Sequence, residues 1–262
     1  MRTIVITGST RGIGYGLAGE LLERSCQVVI SGRDTVRLAE AEKELVDKFG
    51  QERILAVPCD VTDTVQVQAL WNSAKERFGH VDIWVNNAGT AHMQVDFLHL
   101  AEGEWIKVID TNIIGTMNGD RVALTGMLEQ GGGAIYNFGG FGSSGSQQYG
   151  MSIYGTSKYA IEYFTRALVK ETKGKPVIIG FLQPGMVATD MLSRKNIATD
   201  EEWDRAKKIF NILADPVEAV APWLADKILT NTKHGARFSR SSTIKILWRF
   251  LAAPFQKRDL YK

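Results

Sequence analysis

Short apolar runs alternate with longer amphipathic ones along most of this chain. The apolar runs are Thr3-Ile4-Val5-Ile6-Thr7, Gln27-Val28-Val29-Ile30-Ser31, Ile54-Leu55-Ala56-Val57, Val81-Asp82-Ile83-Trp84-Val85, Ala134-Ile135-Tyr136-Asn137-Phe138 and Val177-Ile178-Ile179-Gly180-Phe181. Rich in β-branched and aromatic residues and too short for core helices, they read as buried strands. Between them, Gly16 to Arg24, Arg37 to Phe49, Val65 to Phe78 and about Glu104 to Leu128 carry apolar positions at helical spacing. Strands alternating with helices predict an α/β chain: a Rossmann-like, doubly wound parallel sheet with helices on both faces. Its ligand crevice is expected at the strands' carboxyl ends. With no linker or repeat in view, residues 1–262 read as a single domain. Residues 1–190 form the expected core, and 191–262 a substrate cap with a carboxyl segment.

A length of 262 residues, 44% hydrophobic and 23% charged, suits one compact core. The net charge of +2 gives no basis for a nucleic-acid partner. Cys26 and Cys59 lie in or beside apolar runs without metal-ligand spacing. They read as buried, reduced thiols of a cytoplasmic protein, and no metal site is expected. The first strand begins close to Met1, so no leader peptide is expected, and no apolar run approaches the roughly 20 residues that span a bilayer.

Two motifs carry chemistry. The first, Thr7-Gly8-Ser9-Thr10-Arg11-Gly12-Ile13-Gly14, lies between a predicted strand and a predicted helix. In that context glycines let the backbone approach a pyrophosphate, and the helix start supplies unpaired N–H groups and partial positive charge. An acidic residue after the second strand would favour NAD; here the strand ends Ser31-Gly32-Arg33, and Arg11 stands inside the loop. Two guanidiniums suit a 2′-phosphate, so NADPH/NADP+ is the expected cofactor. Asp34 reads as a helix N-cap. The second motif pairs Tyr154 with Lys158, four residues apart and so on one face of a helix. A lysine beside a tyrosine favours the phenolate and makes the phenol a better acid–base catalyst.

Taken together, the glycine loop, Asn86-Asn87-Ala88-Gly89 and Tyr154-Gly155-Thr156-Ser157-Lys158 resemble the short-chain dehydrogenase/reductase family over about residues 3–190. The resemblance implies that Gly8, Ser9, Thr10, Arg11, Gly12, Ile13 and Gly14 seat the cofactor, with Asp60 and Val61 flanking its adenine. It implies that Asn87, Ala88 and Gly89 line the cofactor's inner side, and that the loop with Pro184, Gly185, Val187 and Thr189 contacts the nicotinamide carboxamide. Tyr154 would protonate a carbonyl oxygen as hydride arrives, Lys158 would lower the tyrosine's pKa and bind the ribose, and Asn112 would help hold a relay water. The family's serine at the end of the fifth strand falls at Gly139-Gly140, which has no side-chain donor. Ser143 and Ser144, just downstream, are the candidates to replace it.

This departure, with Gly133 to Ser143, Pro184 to Asp190 and Phe210-Asn211-Ile212-Leu213-Ala214-Asp215-Pro216, is similar to chlorophyll b reductases. Such enzymes reduce a 7-formyl group on a chlorin ring with NADPH. Two other readings stay open: a generic ketone, aldehyde or 3-oxoacyl reductase, and a non-catalytic NADP(H)-binding sensor, which Gly140 suggests. From Arg237 to Lys262 there are seven basic residues and one acidic, interleaved with Ile244, Ile246, Leu247, Trp248, Phe250, Leu251 and Phe255. Such a segment suits peripheral contact with a membrane surface through Arg240, Lys245, Arg249, Lys257 and Arg258, or else a cover over the substrate cleft or a subunit contact. Met191, Leu192, Trp203, Phe210, Trp223, Trp248, Phe250 and Phe255 are the candidates to line a pocket for an apolar carbonyl substrate. A homo-oligomer is expected, although the family's common Asp-Gly-Gly ending is absent.

Overall fold

A computed structural model describes residues 1–197, 199–253 and 258–261. In chain order the elements are β1 (Thr3–Ile6), α1 (Gly12–Glu23), β2 (Gln27–Gly32), α2 (Thr35–Phe49), β3 (Ile54–Pro58), α3 (Thr64–Phe78), β4 (Ile83–Asn86), α4 (Glu102–Ile109), α5 (Gly115–Gln130), β5 (Gly133–Phe138) and α6 (Ser152–Glu171). Then follow β6 (Val177–Gln183), β7 (Val187–Ala188), α7 (Asp200–Leu213), β8 (Asp215–Pro216), α8 (Val217–Thr230), β9 (Ala236–Ser239) and α9 (Thr243–Ala252). Seven strands form one parallel sheet in the order β3-β2-β1-β4-β5-β6-β9, and β7 pairs with β8 beside it. This is the expected Rossmann-like architecture. Strand order turns back between β1 and β4, which opens a crevice outside their carboxyl ends.

Both faces of the sheet are covered, which is why the strands are apolar without interruption. Along β1 the side chains alternate: Ile4 and Ile6 join Leu17, Leu21, Val220 and Leu224 on one face, while Val5 joins Trp71, Trp84 and Met127 on the other. Cys26 and Cys59 are both buried and free. Asp34 caps α2, accepting from the Arg37 backbone N–H at 3.1 Å, as its position predicted.

One predicted element differs, and one strand of the sheet carries no sequence signal. The helix expected over about Glu104 to Leu128 is divided into α4 and α5 by a π-helical turn at Asp110–Ile114. One wide turn barely disturbs the apolar periodicity, so the pattern cannot reveal it, yet it holds Asn112. The edge strand β9, Ala236-Arg237-Phe238-Ser239, was not foreseen, because a half-polar tetrapeptide carries no buried-strand signal.

Candidate active site

The glycine loop leaves β1 at the crevice and enters α1 there. Gly8 and Gly12 have φ of +63° and +58°, conformations open to glycine at little cost. A Cβ on Gly8 would lie 2.7 Å from the Ala88 Cα, and one on Gly14 2.8 Å from the Gly8 carbonyl oxygen. Asn87 clamps the loop, its Nδ2 donating to the carbonyls of Thr7 and Gly8, both at 2.9 Å. No side chain caps α1 at Arg11, which leaves its first N–H groups open toward a ligand. Across the gap, Thr189 Cγ2 stands 3.4 Å from where a Gly12 Cβ would be, so the chain after β6 faces the loop as a second wall. A bare backbone cradle at an uncapped helix start fits a dinucleotide pyrophosphate.

Not every residue of that expected set presents its side chain to the cradle. Ser9 is fully buried and stitches β1 to β2: its hydroxyl donates to the Ile6 carbonyl at 2.7 Å and accepts from the Ser31 N–H at 2.9 Å. Its own N–H donates to the Ser31 carbonyl at 2.8 Å, so Ser9 supports the loop from behind. Arg11 is paired with Asp190 at 2.7 Å, both side chains exposed. Arg33 is exposed at the end of β2, with no ion pair among the described residues. Asp60 turns its carboxylate onto the Thr62 N–H and hydroxyl, at 3.0 and 2.9 Å, while Val61 is buried.

Helix α6 brings Tyr154 and Lys158 to the same crevice, both almost fully buried. Lys158 Nζ donates to the Phe138 carbonyl at 3.4 Å and lies 5.9 Å from the Tyr154 ring centre. Asn112, wholly buried on the π-turn, accepts from the Thr90 N–H at 2.8 Å. Its Nδ2 donates to the Thr90 carbonyl and to the Ser157 hydroxyl, at 3.0 and 2.9 Å. Gly89 lies over this group, since a Cβ there would come within 3.3 Å of Asn112 Oδ1 and 3.5 Å of Lys158 Nζ. Burial pushes the Tyr154 phenol up to about 12 and draws the Lys158 ammonium down to about 8. Within the chain itself desolvation, which favours the neutral form of each, outweighs any benefit the tyrosine draws from its lysine.

Gly140 sits against the phenol. A Cβ at this position would be 2.6 Å from the Tyr154 hydroxyl and within 3.3 Å of the Lys158 stem, so the tyrosine occupies space that a side chain would need. Gly139 is likewise closed by the Phe181 ring, 2.5 Å from its would-be Cβ. Neither downstream serine is set to replace a lost donor. Ser143 is buried, donating to the Lys158 carbonyl at 3.3 Å and accepting from the Gly140 N–H at 3.0 Å. Ser144 is exposed, 3.4 Å from Ser146.

Sequence reasoning missed the residues that hold this group in place. His92, 4% exposed, lies against Met93 O at 2.7 Å through Nδ1, while Nε2 accepts from the Tyr154 N–H at 3.3 Å. It thereby caps α6, whose own N-cap residue, Met151, offers no side-chain acceptor. No motif marks a lone histidine. Beneath the strand ends, Asn86 links Trp84, Asn137 and Asp120, and Asn137 reaches on to Asp120 and Thr165. Burial lifts the Asp120 carboxyl to about 7 against the hydrogen bond from Asn137.

Known proteins share this fold. The family model for short chain dehydrogenases matches residues 2–200. The chain belongs to that family of oxidoreductases. Among curated relatives, chlorophyll(ide) b reductase NOL, chloroplastic, of Oryza sativa subsp. japonica is 36% identical over 230 residues, covering 86% of this chain and 66% of the relative. The Arabidopsis thaliana protein of the same name is 37% identical, covering 86% and 64%. The chain therefore spans just under two thirds of the length of these relatives. Among solved structures, a single-substitution variant of actinorhodin polyketide ketoreductase with NADPH has a TM-score of 0.80 at 26% identity, covering 93% of this chain and 97% of that one.

After β6, most of the cations expected to face a membrane surface are drawn onto the protein itself. Arg240, Lys245, Arg249 and Arg258 turn inward and converge on one carboxylate, Asp215, at 3.3, 3.7, 2.5 and 3.7 Å. Arg249 also donates to the Leu213 carbonyl, and Arg258 to those of Ile212 and Ala214, neutralising the carboxyl end of α7. The sequence counts these cations but cannot show that they face a buried acid. Outward on α9 stand Ile244, Leu247, Trp248 and Leu251, the apolar stripe of an amphipathic helix. Of the expected pocket residues, Trp203 and Phe210 form an aromatic cluster with Tyr261, whereas Trp223 packs on the core of the sheet. Phe255 and Lys257 lie outside the described residues. No described helix is long and apolar enough to cross a membrane.

Proposed function

We propose that this chain is an NADPH-dependent reductase of a formyl group on a large, apolar chlorin, of the kind borne by chlorophyll(ide) b, converting it to hydroxymethyl. The observation that carries the reading is the convergence of Tyr154, Lys158 and Asn112 beside the glycine cradle, in a chain more than a third identical to chlorophyll(ide) b reductases. The cradle from Gly8 to Gly14, with Asn87, Ala88 and Gly89 on one side and Pro184 to Thr189 on the other, would hold the dinucleotide. When bound there, NADPH supplies the hydride that reduces the carbonyl carbon.

The chain's own residues handle the proton. With its pKa near 12, the Tyr154 phenol is protonated at neutral pH and so is ready to donate to the developing alkoxide. Lys158, still largely an ammonium at pH 7, stabilises negative charge on the phenol as the proton leaves. Asn112 holds the Thr90 backbone and Ser157, one turn from Tyr154, in register. The missing serine donor matters less for an aldehyde than for a ketone, because the formyl carbon is the more electrophilic. Arg33, exposed and unpaired among the described residues, favours a 2′-phosphate, and Arg11 can join it by exchanging Asp190.

The decisive experiment is NADPH oxidation with chlorophyll b and chlorophyllide b, run beside simple aldehydes, ketones and a 3-oxoacyl thioester. Expected is turnover of the pigment to its 7-hydroxymethyl product. Activity confined to small carbonyls would replace this reading by the generic reductase, and tight NADPH binding with no turnover of any carbonyl by the sensor.

A further inference from the structure

The basic cluster around Asp215 is out of balance. Four cations lie within 4.0 Å of a single carboxylate. Burial alone would raise the Asp215 carboxyl, but the hydrogen bond from Arg249 and the charges of Arg249, Lys245 and Arg240 outweigh it and hold it below the usual range. Beside the cluster, between α7 and α9, lies an open cavity of about 630 Å³. Lys208, Lys245, Arg249 and Arg258 line it with Trp248 and Ile212, and among the described residues no acidic one does.

The four cations are not equivalent. Arg249 and Arg258 are occupied by Asp215 and the last carbonyls of α7, so they fasten the carboxyl segment to the body. Among the described residues Lys245 has only long contacts, 3.7 Å to Asp215 and 3.4 Å to the Arg240 carbonyl. Lys208 is exposed and has no ion pair among the described residues. Two ammoniums thus retain free donors at a cavity whose other wall is indole and aliphatic. Such a surface recognises an organic anion joined to a flat apolar body, with the acid on the ammoniums and the ring on Trp248.

The cavity shares no residue with the Tyr154 group but lies toward the same end of the sheet. Asp215 N–H donates to the Met186 carbonyl at 2.9 Å, and Arg240 N–H to Gln183 at 3.0 Å. The neighbouring Leu182 carbonyl accepts from Gly139, next to the glycine under the phenol. We propose that this cavity binds the carboxylate of a chlorin free acid, with Lys208 and Lys245 on the acid group and Trp248 against the macrocycle. The inference rests on the chlorin reading of the catalytic site and adds to it a preference for the free acid over its esters.

The probe is pheophorbide a, a chlorin free acid with a methyl group in place of the 7-formyl, so that it binds without being reduced there. Its affinity and that of its methyl ester are measured by fluorescence titration of the full chain in non-ionic detergent. The acid should bind about tenfold more tightly, the value expected of one charge-assisted hydrogen bond. Lys208→Gln and Lys245→Gln should each reduce that preference at least threefold, and the double variant should abolish it, with unchanged circular dichroism and melting temperature. Equal affinities for acid and ester, or a preference that survives in the double variant, would overturn the proposal. Sedimentation with phosphatidylcholine vesicles containing phosphatidylglycerol tests the other source of an anion. If the variants lose vesicle binding but keep the preference for the acid, the cavity serves a lipid headgroup and the proposal is wrong. Failure of the catalytic reading shows separately, as selective binding of the acid without turnover of any formyl chlorin.

Discussion

Restoring the serine that the family usually carries after β5 should damage this protein. The Gly140 Cβ position is 2.6 Å from the Tyr154 hydroxyl, and ordinary van der Waals contact begins near 3.4 Å. In Gly140→Ala or Gly140→Ser the phenol must therefore retreat by about 0.8 Å, or the strand end must move by as much. The strand end has little freedom, because Gly139 is wedged against Phe181 and hydrogen-bonded to Leu182. The phenol is then the group that shifts. A displacement approaching 1 Å in a proton donor costs about 100-fold in rate, or roughly 2.7 kcal/mol of activation free energy. The expected result is a kcat about 100-fold below wild type for both variants, with NADPH affinity changed less than threefold and the fold intact by circular dichroism. Single-turnover NADPH oxidation with the formyl substrate separates the chemical step from product release. A Gly140→Ser variant that matched or exceeded wild-type kcat would refute the steric argument and return the serine to its family role.

Other outcomes follow from the same geometry. Tyr154→Phe should abolish turnover while leaving cofactor affinity nearly unchanged, and more than a tenth of wild-type rate remaining would move the acid elsewhere. Lys158 binds its proton less tightly folded, near 8, than unfolded, near 10.5. Its burial therefore costs on the order of 3 kcal/mol below pH 8, a cost that fades as pH rises toward 10.5. Lys158→Met should accordingly raise the melting temperature most at neutral pH and least near pH 10, and a gain independent of pH would contradict this. Arg33→Ala should cut the preference for NADPH over NADH by about tenfold in fluorescence titrations, and an unchanged ratio would remove Arg33 from the ribose site. Asp215→Asn leaves four cations facing no charge, so limited proteolysis should cleave beyond residue 240 faster than in wild type; equal rates would mean that the pairs do not fasten the tail.

The fold was legible because it rests on local signals that reinforce one another. Six strand-like runs fell within the strands of the sheet or within two residues of their ends, since only a sheet covered on both faces demands so many consecutive apolar positions. The glycine loop, the Asn-Asn-Ala-Gly turn and the Tyr154–Lys158 pair were visible as short spacings. What the spacing could not carry was direction. Ser9 lies in the loop motif yet turns its hydroxyl toward Ile6 and Ser31. Asn87 belongs to a cofactor motif yet grips the glycine loop, and His92 belongs to no motif yet caps the helix that carries Tyr154. Each depends on contacts between residues distant in sequence, which no window of the chain contains.

The carboxyl segment shows the same limit with a larger consequence. As composition it is a basic, apolar stretch, the pattern of a helix whose cations meet lipid headgroups. In three dimensions α9 is turned the other way, its described cations drawn onto Asp215 and the end of α7 and its apolar stripe left outward. Asp215 belongs to the stretch Phe210 to Pro216, which in the sequence counted toward the similarity to chlorophyll b reductases. Its carboxylate gathers the cations of the carboxyl segment, and its β8 backbone ties that segment to β7 and so to the wall facing the glycine loop. A change at Asp215 should therefore reach the catalytic crevice through the backbone of β7, without any of the four cations touching the reacting groups.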